Sequence, residues 1–393
     1  MTLEDYIANL NRLAFWREFT FARNRFSPPS GSELELADNL VWFGRRAYIL
    51  QLKQRDEPTD NPAAERSWFQ KKVLKKATSQ IRDSLRFLDE NHHIGITNER
   101  GHRFDIQRDA LTQITKVVVY LPGPALPEDC WQTRYHVSQT VGFIHIVAAN
   151  DYLGILETLR VPEDIARYFA YREEVTPSLK ASGIEFGEDD IMGAFLSEEQ
   201  VPTPQSHEKL SYLLQDLDAF DLSSLLGNLH DHINRADKPY DYYQILQEFA
   251  QVPRSVWREV KLRFMKSLDV ARDGQFILPF RLTYLETNCT FMIAPLDPDL
   301  PATGPEGEKV RVTGLQNFTS AAMYLAKSSK GIGIVISRDG EYFQIDWCLI
   351  DMPWEPDPEM ERRLSENNPF RAVSEKSMDS FLFKLPPEEP DIG

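Results

Sequence analysis

Asp38, Gln51 and Lys53 are the residues whose types and spacing best suit chemistry. They lie in ELELADNLVWFGRRAYILQLKQR, residues 33–55. The stretch alternates as a β-hairpin does, turning at 43–46, and side chains two apart share one face of an extended strand. Gln51 and Lys53 therefore stand side by side, and pairing across the turn brings Asp38 roughly opposite position 51. An acid, an amide and an amine then converge on one sheet surface. A hard cation such as Mg²⁺ (or Mn²⁺) takes oxygen ligands from one or two carboxylates, with substrate phosphate and water beside them. Asp38 would give the carboxylate, Gln51 a neutral carbonyl oxygen and Leu52 its backbone carbonyl. Lys53 would stabilise developing negative charge, or position and deprotonate an attacking water. That is the chemistry of phosphodiester hydrolysis. Each residue also has a plain structural role: an aspartate can end a strand or cap a turn, and a lysine can guard a sheet edge.

The elements that must position these groups follow from periodicity. Residues 2–18 read as a helix, with Thr2 and Asp5 as a capping box and Ile7, Leu10, Leu13 and Ala14 at helical spacing. Residues 67–89 give the clearest helix. Phe69, Val73, Leu74, Ala77, Ile81, Leu85 and Leu88 share one arc, and Lys71, Lys72, Lys75, Lys76, Arg82 and Arg86 occupy the other. Gln80 falls on the apolar arc and so points at the sheet, where a lone amide needs a partner. ITKVVVYLPG (114–123) and TVGFIHIVAAND (140–151) read as buried strands, the second running into a helix capped by Asn150 or Asp151. Pro162 opens another helix. The order through residue 175 gives a mixed sheet flanked by helices, in the α/β (α+β) class.

This layout resembles the PD-(D/E)xK nuclease superfamily. Asp38, twelve intervening residues, then Gln51-Leu52-Lys53 is similar to the D…QxK variant of Mrr-type restriction endonucleases. The resemblance covers about residues 1–175. It implies a restriction-endonuclease-like domain and a Mg²⁺-dependent endonuclease, with DNA favoured over RNA and a role in bacterial restriction or anti-phage defence. Family members often add an acidic residue from the first helix, and Glu18 is the matching residue. They also often place a polar residue on the helix after the triplet, where Gln80 matches. Glutamine at 51 removes one negative charge from the metal, which Glu18, Glu33 or Glu35 would have to replace. The other reading is a PD-(D/E)xK-like module without catalysis, acting in nucleic-acid binding or complex assembly. Nucleases that cut both strands usually pair, so a homodimer is expected. A regulatory protein partner would suit a second half that senses or restrains.

The chain has 393 residues and a 42% hydrophobic content, which predicts a globular protein of two or three domains. The expected organisation is a nuclease-like domain (1–178), a linker (179–207), a helical segment (208–272), a β-rich domain (273–354) and an acidic, Pro-rich tail (355–393). The β-rich part includes a hairpin turning at Asp339-Gly340. The net charge of −16 opposes non-specific nucleic-acid binding, yet residues 66–88 hold seven basic residues against Asp83 alone. Such a strip could guide a phosphate backbone, or simply face water. Three scattered cysteines and no apparent signal peptide or membrane span point to the cytoplasm. The histidines at 91–93 and 230–232 lack zinc-site spacing, and His145, inside an apolar strand, reads as a core residue. ERGHRF (99–104) reads as a charged loop. No P-loop, GxGxxG or GxSxG motif occurs.

Overall fold

A computed structural model describes residues 1–22, 24–26, 34–91, 93–211, 217–233 and 240–371. Glu33, His92 and the tail beyond 371 lie outside the described residues. The described residues form two compact units, one over 1–211 and 223–228, the other over 217–222 and 229–371.

The first unit opens with helix α1 (Leu3–Ala14). Its Thr2 hydroxyl and Asp5 carboxylate form the reciprocal cap. Short strands β1 (Thr20–Phe21), β2 (Arg25–Phe26) and β3 (Leu34–Glu35) lead to the hairpin β4 (Asn39–Phe43) and β5 (Arg46–Lys53). A long helix follows in three parts: α2 (Pro62–Trp68), a widened π-helical stretch (Phe69–Lys76) and α3 (Ala77–Glu90). Phe69, Val73, Ala77 and Ile81 repeat every four residues, overshooting a 3.6-residue turn at each step, and widened turns take up the overshoot. All four are buried against the sheet.

Then come β6 (Ile94–Thr97), β7 (Arg103–Ile106), β8 (Gln113–Tyr120), α4 (Glu128–Trp131), β9 (Tyr135–Ser138), β10 (Gly142–Ala148), α5 (Ala149–Leu159), α6 (Pro162–Ser182) and α7 (Glu188–Leu196). The mixed sheet runs β1-β4-β5-β8-β10-β9, with β5, β8 and β10 parallel and the other pairs antiparallel. One face carries Ala47, Ile49, Val118 and Ile144 beneath α2 and α3. The other packs Tyr48 against Phe15 at the end of α1 (5.3 Å) and Phe169 of α6 (5.9 Å). The expected mixed α/β architecture is thus observed.

Residues 99–102 are the charged turn of a two-stranded hairpin, β6–β7, whose Ile94, Ile96 and Ile106 face the core. Two local expectations differ from the structure. α5 starts at Ala149, which leaves Asn150 and Asp151 inside the first turn rather than capping it. The stretch expected as a linker, 179–207, carries α7, with Ile191, Ala194 and Leu196 buried.

The second unit has the sheet β11 (Phe280–Tyr284), β12 (Cys289–Pro295), β13 (Lys330–Asp339) and β14 (Tyr342–Asp351), in that order. β12 and β13 are parallel, joined by the helix Gly304–Ala326, which the β-rich reading of 273–354 did not contain. That helix lies close on β13: a Cβ at Gly333 would run into the Thr319 hydroxyl.

Candidate active site

The β4–β5 register pairs Asn39 with Leu50, which sets Asp38, one residue before the strand, across from Gln51. Asp38 Oδ2 accepts the Leu52 N–H at 2.6 Å and the Lys53 ammonium at 3.0 Å. The same ammonium donates to the Leu52 carbonyl at 2.8 Å and reaches Gln51 Oε1 at 3.4 Å. Three oxygens, one of them charged, therefore converge on the Lys53 Nζ. Gln51 is 2% exposed and Lys53 9%. This face of β5 is the one beneath α3, whose Ser84 hydroxyl binds the Leu36 carbonyl at 2.5 Å. One turn earlier on α3 stands Gln80, with a buried Oε1 that has no hydrogen-bond partner among the described residues.

Burial pushes the Lys53 amine below its ordinary value. Asp38 pulls the other way, and the Lys76 charge on the long helix adds to the lowering. Lys53 and Lys76 thus stand near one directly bonded carboxylate, Asp38, with the Glu4 charge acting from farther off. Lys71, Lys72, Lys75 and Lys76 are exposed and make no ion pair among the described residues, whereas Arg82 lies 3.9 Å from Asp83 and Arg86 3.3 Å from it. The lysines form an open positive face.

Glu18 is not brought to this cluster. It is 1% exposed and bonded through Oε1 to the Arg100 Nε at 2.8 Å. β1 pairs Thr20 with Val41, so Glu18 lies beside the turn end of β4, roughly 15 Å of strand from Asp38. The reason is the direction of α1. Its N-terminus, not its C-terminus, meets the end of β5, where the Leu3 N–H donates to Gln54 Oε1 at 3.0 Å. Glu4, exposed in that first turn, is the α1 carboxylate whose charge reaches Lys53. Helical spacing alone marks Glu4 only as a capping-turn acid; the packing of α1 on β5 gives it this place. Glu35 is exposed, paired through β3 to Arg25 on β2.

His145 is 2% exposed and its ring lies 3.2 Å from the Arg172 guanidinium, with burial first and that cation second holding it well below the usual imidazole range. It is a core residue. Among the described residues no three His, Cys, Asp or Glu side chains converge as a metal cage. A hard cation at Lys53 would rest on Asp38, the Gln51 amide oxygen and the Leu52 carbonyl. That set suits Mg²⁺ or Mn²⁺ when substrate phosphate and water complete the shell, and the ammonium already at its focus shows that the oxygens face a positive charge.

No helix among the described residues is long and apolar enough to cross a membrane. No protein-family model, curated protein sequence or solved structure matches this chain.

Proposed function

We propose that the chain is a metal-dependent nuclease of the PD-(D/E)xK kind, hydrolysing phosphodiester bonds, with DNA the favoured substrate and bacterial restriction or anti-phage defence the setting. One observation carries the reading: Asp38, Gln51 and the Leu52 carbonyl converge on Lys53 at a sheet end flanked by the exposed lysines of the long helix. A bound Mg²⁺ would polarise the phosphoryl oxygen and lower the pKa of a water. Asp38, Gln51 and the Leu52 carbonyl would hold it. Lys53 then turns from Asp38 to the phosphate, where its charge stabilises the anion that develops. Its lowered pKa also makes a neutral, proton-accepting amine more accessible than in a free lysine. Gln80 offers its amide oxygen, without a partner among the described residues, to a water or a substrate donor. Lys71, Lys72, Lys75 and Lys76 steer the phosphate backbone.

A second reading has one observation in its favour. Glu18 is held by Arg100, which leaves Asp38 the sole half-buried carboxylate of the cluster. A module of this kind could bind nucleic acid or assemble complexes without cutting. The test is incubation of plasmid DNA and of RNA with wild type, Asp38→Ala, Lys53→Ala and Lys53→Arg, in Mg²⁺ and in Mn²⁺. Wild type should cut, and both alanine variants should lose about 100-fold or more. Lys53→Arg, which stays protonated, should keep activity only if the amine acts through charge. Cutting by Asp38→Ala and Lys53→Ala at the wild-type rate would move the site elsewhere. Intact substrates in every tube, with binding retained, would favour the non-catalytic module.

A further inference from the structure

Of the seven tryptophans in the chain, Trp131 alone is exposed, at 37%. It closes the short helix α4 in the first unit. That helix is fixed at two points. Cys130 is buried in the core beneath the long helix, and Asp129 is ion-paired with Arg66, the first residue of the basic strip. The indole is therefore held in place, yet its N–H meets no acceptor among the described residues. Its ring packs on Tyr120, 6.4 Å between centroids, and Tyr120 in turn packs edge-on against Phe69 at 5.2 Å. Tyr120 is the register partner of Lys53 across the parallel β5–β8 pair. Leu121, 40% exposed, donates its N–H to the Lys53 carbonyl at 3.0 Å. An apolar rim of Leu121 and Trp131 thus stands one strand over from the reactive amine, beside the helix that carries the free lysines.

An exposed aromatic ring next to a run of unpaired cations has a specific meaning for a nucleic acid. Phosphates go to the cations, and an unstacked base lies on the ring, a contact open to every base because each has a π face. Bases inside a duplex are stacked on one another and unavailable for it. Solitary surface apolar residues need no explanation. Here, however, the indole is braced by an ion pair to the basic helix and backed by the ring beside Lys53.

We infer that Trp131 is a base-stacking platform, and that this chain takes single-stranded or locally opened nucleic acid, with an unpaired base on the indole and the neighbouring phosphates on Lys71, Lys72, Lys75 and Lys76. The inference deepens the nuclease reading and rests on it for the identity of the ligand, but not on cleavage. Stacking of this kind contributes about 1–3 kcal/mol per base, which corresponds to roughly 5- to 150-fold in affinity.

The experiment measures binding of the full chain in EDTA, so that no cutting intervenes. The probes are a fluorescein-labelled mixed-sequence strand of about 12 nucleotides, the same strand as a duplex, and the same strand with its central nucleotides abasic. Wild type should prefer the base-bearing single strand, which should quench tryptophan emission. Trp131→Ala should lose that preference by the factor above and lose the quench, while its affinity for duplex and abasic strand stays at the wild-type level. Trp131→Tyr should restore most of the preference without the quench. Equal weakening toward all three probes, or unchanged affinity in Trp131→Ala, overturns the stacking role while leaving the nuclease reading in place. Failure of wild type to bind any probe removes both.

Discussion

Two charged clusters in the first unit can be set side by side. Around Arg172 the guanidinium and the Glu188 carboxylate are fully answered. Its guanidinium donates to Glu188 at 2.7 and 3.1 Å, to the Arg134 carbonyl at 3.0 Å and to the Ile146 carbonyl at 3.1 Å. Glu188 also accepts from Arg134 at 2.8 Å and from the Tyr168 hydroxyl at 2.5 Å. Around Lys53 the account is looser: Asp38 is its one bonded carboxylate, Gln51 Oε1 is only 3.4 Å from the ammonium, and on α3 above this face the Gln80 amide oxygen is buried with no partner among the described residues. A saturated cluster fixes a fold, because each member is costly to remove and offers nothing to a ligand. An unsaturated one is where a ligand can supply what is missing. The contrast gives Arg172–Glu188 an architectural part, tying α6, α7 and the β9–β10 edge together, and leaves Lys53 as the candidate for chemistry.

Stability measurements break or sustain that contrast most directly. Glu188→Ala strands a fully buried guanidinium and should cost about 3–5 kcal/mol. Asp38→Ala leaves a lysine that can lose its proton and keep the Leu52 carbonyl, but it strands the Leu52 N–H, so it should cost about 1–3 kcal/mol, less than the Glu188 change. Urea unfolding of both variants reads the difference. Equal losses would make Asp38 a structural residue and weaken its assignment to the site.

The acid limb gives a smaller effect with opposite signs. Burial tends to raise the Glu188 carboxyl, but Arg172 and Arg134 outweigh it and hold the group at about 2. Its contribution is present above its unfolded value of 4.5 and is lost as pH falls from there toward 2. Asp151, in the first turn of α5, is raised to about 6 by burial first and by the Glu188 charge second. The native state therefore holds an extra proton between the unfolded value of 3.8 and about 6, and stability falls as pH rises through that window. Asp151→Asn should gain about 1–2 kcal/mol at pH 7 and nothing near pH 3, allowing for its partial exposure. A gain of the same size at both ends would mean the carboxyl titrates normally.

How far the sequence showed this depends on the range of the interaction. The meeting of Asp38, Gln51 and Lys53 was legible because a two-residue period and one short turn decide it. The basic face of the long helix was legible for the same reason. Glu18 was misplaced because its position depends on which way α1 lies on the sheet, and no local pattern encodes that. The burial of α7 was illegible because the residue that anchors it, Glu188, is charged and finds Arg172 sixteen residues upstream. The helix Gly304–Ala326 was missed because Val310, Val312 and Phe318 favour strands in isolation; the glycines of β13 that let it approach lie after it in the chain.

The finest test separates cations that are free from cations already paired. Lys71, Lys72, Lys75 and Lys76 carry no ion pair among the described residues, while Arg86 is bonded to Asp83 at 3.3 Å and lies 5.3 Å from the Phe87 ring. Counterion release makes the logarithm of affinity fall with the logarithm of salt by about 0.7–0.9 per phosphate neutralised. Changing Lys72 or Lys75 to Ala should therefore reduce that slope by about one each and weaken binding a few-fold, equally across sequences. Arg86→Ala should move neither quantity, since its charge is already compensated on the surface. If Arg86→Ala flattens the slope as much as Lys72→Ala does, the phosphate backbone runs along the paired end of the helix, toward Glu90 and away from Lys53, and the lysines near the candidate site are only a solvated face.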